Sequence, residues 1–182
     1  MKSIIWFRND LRIDDNPAMR AACDNSAEVH AIFLYSQDQL KDHNEANVKL
    51  DFLIDNLKCL SDSLEELNIP LSIIDSKGFD EDPEIILKTT KERDAGKLFF
   101  NKQFGENEQK RDKEVLNILE ASGIKAESFN DQIVYEAGSI RTGQDNPYSV
   151  FTPFKKKWVE NFDMEFLDID HKYTPMTEGS FN

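Results

Sequence analysis

Glycine is scarce in this chain, 7 in 182 residues, and none falls in the stretch from Arg8 to Asp15 that follows the first apolar run. Nucleotide folds place glycines at that turn so that backbone N–H groups can approach a pyrophosphate. Neither G-x-G-x-x-G nor G-x-x-x-x-G-K-[ST] occurs anywhere, so backbone approach to a pyrophosphate is poorly provided and the turn does not look like a phosphate cradle. Cysteine is nearly absent: Cys23 and Cys59 form no C-x-x-C, and with 3 scattered histidines no zinc spacing arises. Both cysteines fall on expected apolar helix faces and are read as buried, reduced thiols, in keeping with a cytoplasmic protein. Basic residues number 22 against 35 acidic, a net charge of −13, and such a surface repels a polyanion. No apolar stretch approaches a membrane span, and "MKSIIWFRND" is too short an apolar run for a signal peptide. Neither a membrane nor DNA is therefore expected as a direct partner of this chain alone.

What is present reads as a globular α/β domain, with 39% apolar and 31% charged residues. "SIIWF" (3–7), "VHAIFLY" (29–35), "PLSIID" (70–75), "KLFFN" (97–101) and "KAESF" (125–129) are strand-like runs. Between them lie helical patterns. Asn16 caps a helix with Pro17 at its first position, and Asp82 with Pro83 repeats the signature. Leu50, Leu53, Leu57, Leu60, Leu64 and Leu67 recur at spacings of three and four, one stripe of a long helix. A further helix covers about 107–121, with Val115, Ile118 and Leu119 inward and Gly123 just past its end. Alternating elements with near-continuous apolar strands predict a Rossmann-like five-stranded parallel sheet with helices on both faces. After residue 130 the pattern turns to loops, then a short helix in "FTPFKKKWVENF". Residues 1–130 are thus the α/β domain and 131–182 a linker that leads elsewhere.

In open parallel sheets ligands sit beyond the carboxyl ends of the strands. There the chain offers Asn107 and Glu108, an amide beside a carboxylate, with Phe104 close by. That pairing suits a heterocycle carrying adjacent ring and exocyclic N–H groups. The competing reading makes Asn107 an N-cap and Glu108 a partner of the helix dipole. "RNDLR" (8–12) is a solvated or self-paired loop, or else a polar clamp closing the sheet edge or a contact with a neighbouring domain. Asp14 and Asp15 read as cap and dipole partners, "FKKKW" as a solvated helix face, and Trp6 and His30 as core residues. No catalytic constellation or metal cluster emerges.

"WFRNDLRIDDNPAM" resembles the opening of the DNA photolyase and cryptochrome family. "HN" at 43–44, "FLIDNLKCL", "LNIPL", "LFFNKQFGENEQKRDKEV" and "VFTPFKKKW" resemble later family segments in the same order, over about residues 3–162. The resemblance implies an antenna domain that holds a light-harvesting chromophore, methenyltetrahydrofolate more than a deazaflavin. It carries cofactor-binding roles to Asn107, Glu108, Phe104, His43 and Lys49. It departs where the family's long helix often begins with arginine and tryptophan and this chain has Lys49 and Leu50. The resemblance further implies that FAD, light-driven repair of pyrimidine dimers as a deoxyribodipyrimidine photo-lyase, and contact with damaged DNA belong to a helical C-terminal domain absent from these residues. The fragment alone is then not catalytic. A stand-alone nucleotide- or small-molecule-binding module of the same sheet type, or an interaction surface with an empty cleft, are the alternatives.

Overall fold

The computed structural model describes residues 1–36, 46–163 and 172–177. The chain order is β1 (Lys2–Phe7), α1 (Pro17–Asn25), β2 (Glu28–Tyr35), α2 (Asn47–Glu65), β3 (Leu71–Asp75), α3 (Asp82–Glu92), β4 (Lys97–Asn101), α4 (Glu106–Ala121), β5 (Lys125–Phe129) and α5 (Phe151–Glu160). The strands form one five-stranded sheet in the order β3-β2-β1-β4-β5, parallel at every pairing. The α/β expectation holds, strand by strand.

β1 is central, and its side chains alternate between the two faces. Ile5 and Phe7 join Met19 of α1, Leu60 and Leu64 of α2 and Phe99 of β4 in one core cluster. Ile4 and Trp6 join Ile86 of α3, Leu98 and Phe100 of β4, and Val115 and Leu119 of α4 in the other. α1 and α2 therefore cover one face and α3 and α4 the other. Each fully buried aliphatic or aromatic side chain contributes about 1.5–3 kcal/mol.

The helix ends follow local chemistry. Asn16 Oδ1 accepts from the Met19 N–H at 3.0 Å, and Pro17 occupies the first turn. α4 ends at Gly123, whose φ of +73° suits a residue without Cβ. The leucine stripe of α2 is buried at Leu57, Leu60 and Leu64, and Leu67 continues it beyond the helix. Cys59 lies on the outward face and is exposed, not buried as expected. It follows Leu57 by two positions, about 200° around the helix. Cys23 is half-buried, and burial pushes its thiol up to about 12. Asp82 is not the cap of α3: that place is Glu81's, and the Asp82 carboxylate turns inward to Ser76 Oγ at 2.6 Å. Asp14 and Asp15 precede the cap, and no acidic residue stands in the first turn of α1.

His30 is 2% exposed and shares a hydrogen bond of 2.8 Å between Nε2 and Ser72 Oγ. Burial, then the nearby Arg93 charge, lowers its pKa from 6.5 to about 4.

Leu64→Ala is expected to destabilise the domain by about 2–5 kcal/mol in urea unfolding, while Cys59→Ser changes little. The unfolded chain protonates His30 near pH 6.5 and the folded chain only near 4, so acid favours unfolding across that window. Melting temperature should fall as pH drops from about 6.5 to 5, and His30→Gln should flatten that slope.

Candidate functional site

Strand order reverses between β1 and β4, and the crevice there is filled by the chain's own side chains. Asn101, at the end of β4, donates Nδ2 to Asp10 Oδ2 at 2.6 Å and to Asn16 Oδ1 at 2.8 Å. Its Oδ1 accepts from the Ala18 N–H at 3.1 Å. With Met19 N–H bound to Asn16, two of the free N–H groups opening α1 are already satisfied. A phosphate would have to displace both asparagines. The glycine-free turn is thus closed by amides, and "RNDLR" is in part self-paired, through Asp10, and in part bound across the sheet edge to Asp112 and Asp131. Arg8 and Asp10 are buried, and the Arg8 N–H donates to Asp10 Oδ1 at 2.8 Å. Arg12 pairs with Asp131, with Nη1 at 3.1 Å from Oδ2.

Beside the clamp opens a cleft of about 350 Å³, with Trp6, Arg8, Phe33, Tyr35, Gln103 and Glu108 in its wall. One side of it is a stack of alternating rings and cations. The Arg8 guanidinium lies 4.6 Å from the Trp6 ring centre and 4.8 Å from that of Phe100. The Arg111 guanidinium lies 4.6 Å from Trp6 and 5.2 Å from Phe79. Desolvated contacts of this kind are worth about 2 kcal/mol each. Asp112 Oδ1 accepts from Arg8 Nη1 and from Arg111 Nη2, both at 2.8 Å. Asp82 Oδ2 approaches Arg111 Nη1 at 3.6 Å. Arg8 Nε and Nη2 are buried with no hydrogen-bond acceptor among the described residues, and the guanidinium's surroundings on those sides are the rings of Trp6 and Phe100. Burial lowers the Arg8 pKa against the pull of Asp112, and burial raises that of Asp82 against Ser76 and Arg111. Two cations face Asp112 and Asp82, and Glu108 adds a third carboxylate to the wall, which is polar with a small negative excess.

The expected site residues divide over this surface. α4 is capped by Gly105, which makes Asn107 its second residue and not its cap. Asn107 is exposed and borders a wider groove of about 790 Å³ with Lys77, Glu81 and Lys110. Glu108 is half-buried and faces the cleft. Its carboxylate folds back over Gly105, where an added Cβ would collide with it. Phe104 is half-buried, and its carbonyl accepts from Gln109 Nε2 at 2.8 Å. Lys49 is exposed in the first turn of α2, outside the wall residues of both openings. His43 lies outside the described residues. The structure adds Trp6, Arg111, Asp112 and Asp82, which the sequence reading did not place at the site. Arg111 and Asp112 follow Glu108 by three and four positions, a spacing that shares one helix face and could have signalled them.

The family model described as DNA photolyase matches residues 3–176. The chain belongs to the DNA photolyase family. It is the N-terminal α/β domain of that photolyase and cryptochrome family over almost its whole length. It is 35% identical to the deoxyribodipyrimidine photo-lyase of Salmonella typhimurium over 158 residues, 86% of this chain and 33% of the relative. It shares 31% identity with cryptochrome-1 of Arabidopsis thaliana over 84% of this chain and 22% of that one. A bacterial class III photolyase from Agrobacterium tumefaciens superposes with a TM-score of 0.70 at 23% identity, over 96% of this chain and 34% of the other. An archaeal photolyase from Sulfolobus tokodaii, solved with two FAD molecules, gives 0.68 at 19%, over 86% and 34%. These two show the shared fold. The photolyase domain thus spans about a third of the curated relatives it matches. Among the described residues no helix is long and apolar enough to cross a membrane, and no cluster of three metal-ligating side chains occurs.

Removing Asp112 strands the buried Arg8 guanidinium and leaves Arg111 with Gln103 and Asp82 alone. Asp112→Ala is expected to cost about 3–5 kcal/mol, whereas Glu92→Ala, which breaks the surface pair with Lys88, should cost under about 1 kcal/mol. Urea titration of both variants checks the contrast, and equal costs would contradict it.

Proposed function

We propose that this chain is the light-harvesting antenna domain of a deoxyribodipyrimidine photo-lyase-like protein, and that its strand-end cleft holds methenyltetrahydrofolate. The single observation that carries the reading is the position of Glu108, half-buried at the mouth of an aromatic-walled cleft whose neighbouring phosphate position is taken by Asn101 and Asn16. A carboxylate there accepts two N–H bonds from a flat heterocycle, such as the 2-amino and ring N–H of a pterin. Asn107, on the adjoining rim, can donate and accept toward the same edge. The volume of about 350 Å³ suits a fused ring system and not a whole dinucleotide.

When bound, the folate supplies absorption of near-ultraviolet and blue light, and the excitation passes to FAD in a helical domain. The chain's own residues bind and orient: Glu108 fixes the donor edge, Asn107 stands on the adjoining groove, and Tyr35 flanks the ring, while Trp6 lies behind it, stacked against Arg8 and Arg111. Repair of pyrimidine dimers, contact with damaged DNA and the FAD itself belong to polypeptide of the kind the longer relatives carry. This domain with added flavin and light is expected not to reverse dimers. A flavin-type pigment is the second occupant to weigh, because the Sulfolobus tokodaii photolyase was solved with two FAD molecules. Deazaflavin ranks behind folate, since the Asn-Glu pair resembles that of the folate-binding members. A small-molecule-binding module without light chemistry is the reading from outside the family's photochemistry.

Titration with methenyltetrahydrofolate, flavin mononucleotide and ATP, followed by absorbance and melting temperature, separates these readings. Folate is expected to raise the melting temperature, and Glu108→Gln to weaken it about tenfold or more, as loss of charged hydrogen bonds does. Gly105→Ala should weaken it too, by moving the Glu108 carboxylate while leaving the fold intact. Stabilisation by ATP without stabilisation by folate would overturn the proposal.

A further inference from the structure

Residues 172–177 lie across the face made by α1 and α2. The Tyr173 hydroxyl donates to the Ile13 carbonyl at 2.8 Å. Three residues on, the Met176 N–H donates to the Leu67 carbonyl at 2.8 Å, and Asn68 Nδ2 donates to the Met176 carbonyl at 3.0 Å. Both side chains pack on the first core cluster, together with Cys23. The segment therefore has two anchors of different kinds. One is at the loop joining β1 to α1, and the other is past the end of α2.

The first anchor bears on the cleft. Ile13 sits in a loop that hydrogen bonds tie back to Arg8. The Arg12 carbonyl accepts from Asn16 Nδ2 at 3.0 Å, and the Asp10 carbonyl accepts from the Arg12 N–H at 2.7 Å. The Asp10 carboxylate accepts from the Arg8 N–H at 2.8 Å. Asp15 of the same loop has φ +47°, a region that non-glycine residues seldom adopt. From outside, the loop is held at Arg12 by Asp131 and at Ile13 by Tyr173.

We propose that Tyr173 is a positioning residue for the cleft: it holds Ile13, and through the bonded loop it fixes the part of the wall contributed by Arg8 and Asn9. This rests on the reading that the cleft takes the pigment. Burial holds the Tyr173 phenol up at about 12, so the hydroxyl remains a donor at neutral pH.

Tyr173→Phe keeps the ring and deletes only the donor, whereas Met176→Ala removes packing at the far anchor. Three readouts are compared in the whole chain: methenyltetrahydrofolate affinity, amide exchange over residues 9–16, and the alkylation rate of Cys23 set against that of exposed Cys59. Tyr173→Phe is expected to speed exchange in the loop and to weaken folate about threefold, the part of the lost anchoring that reaches the cleft. Its melting temperature should fall by only a few degrees, as loss of one hydrogen bond does. Met176→Ala is expected to lower the melting temperature and speed alkylation of Cys23, with folate affinity retained. A Tyr173→Phe chain with parental affinity and parental loop exchange overturns the proposal, as does equal loss of affinity in both variants. If the parent takes up no folate, the cleft reading itself fails. Loop exchange then decides alone whether Tyr173 holds the loop, faster exchange upholding it and unchanged exchange overturning it.

Discussion

The whole carboxyl edge of the sheet is organised by one buried cation. Arg8 is 6% exposed, leaves the central strand β1, and lies between the rings of Trp6 and Phe100 with Asp112 at its tip. An unpaired guanidinium in that place would cost several kcal/mol. The requirement for a partner fixes where α4 may sit, because Asp112 must reach back to β1. Once α4 is fixed, Arg111 follows onto the other side of the aromatic stack, and Asp82 and Ser76 follow at the start of α3. The cleft is the space left beside this stack.

The same arrangement explains why a Rossmann-like sheet can lack glycines at its first turn. A phosphate-binding turn leaves helix N–H groups open and keeps side chains away. Here Asn16 and Asn101 occupy those N–H groups, and Asp10 links both to the Arg8 backbone. What the edge presents to the outside is therefore side chains, with Glu108 at the cleft and Asn107 on the adjoining groove, and not open backbone N–H groups.

Much of this was legible in the sequence. The five strands, the Asn16–Pro17 helix start and the leucine stripe depend on nearest-neighbour chemistry and periodicity, which sequence displays directly. "KLFFN" is β4 residue for residue. The parts that were not legible depend on long-range pairing. Nothing local says that Asp82 turns to Ser76 and Arg111 instead of capping α3, or that Asp112 meets Arg8 across the fold. Glu108 sits where a helix-opening carboxylate folds back over its cap, so its local role and its place at the cleft coincide, and sequence could only offer both. Cys59 shows the converse error, in which an apolar residue type was taken for an inward face although the leucine phase points it outward.

The sheet also has two open margins, β3 and β5, each only five residues long. β3 follows Pro70, which has no N–H, and ends in Asp75. β5 carries exposed Lys125 and Glu127, the latter tied to Lys97 of the neighbouring strand. Short rims set with charge are poor templates for another backbone. The acidic surface adds mutual repulsion between copies to these short rims, of which β3, with Ile73 exposed, is the less guarded.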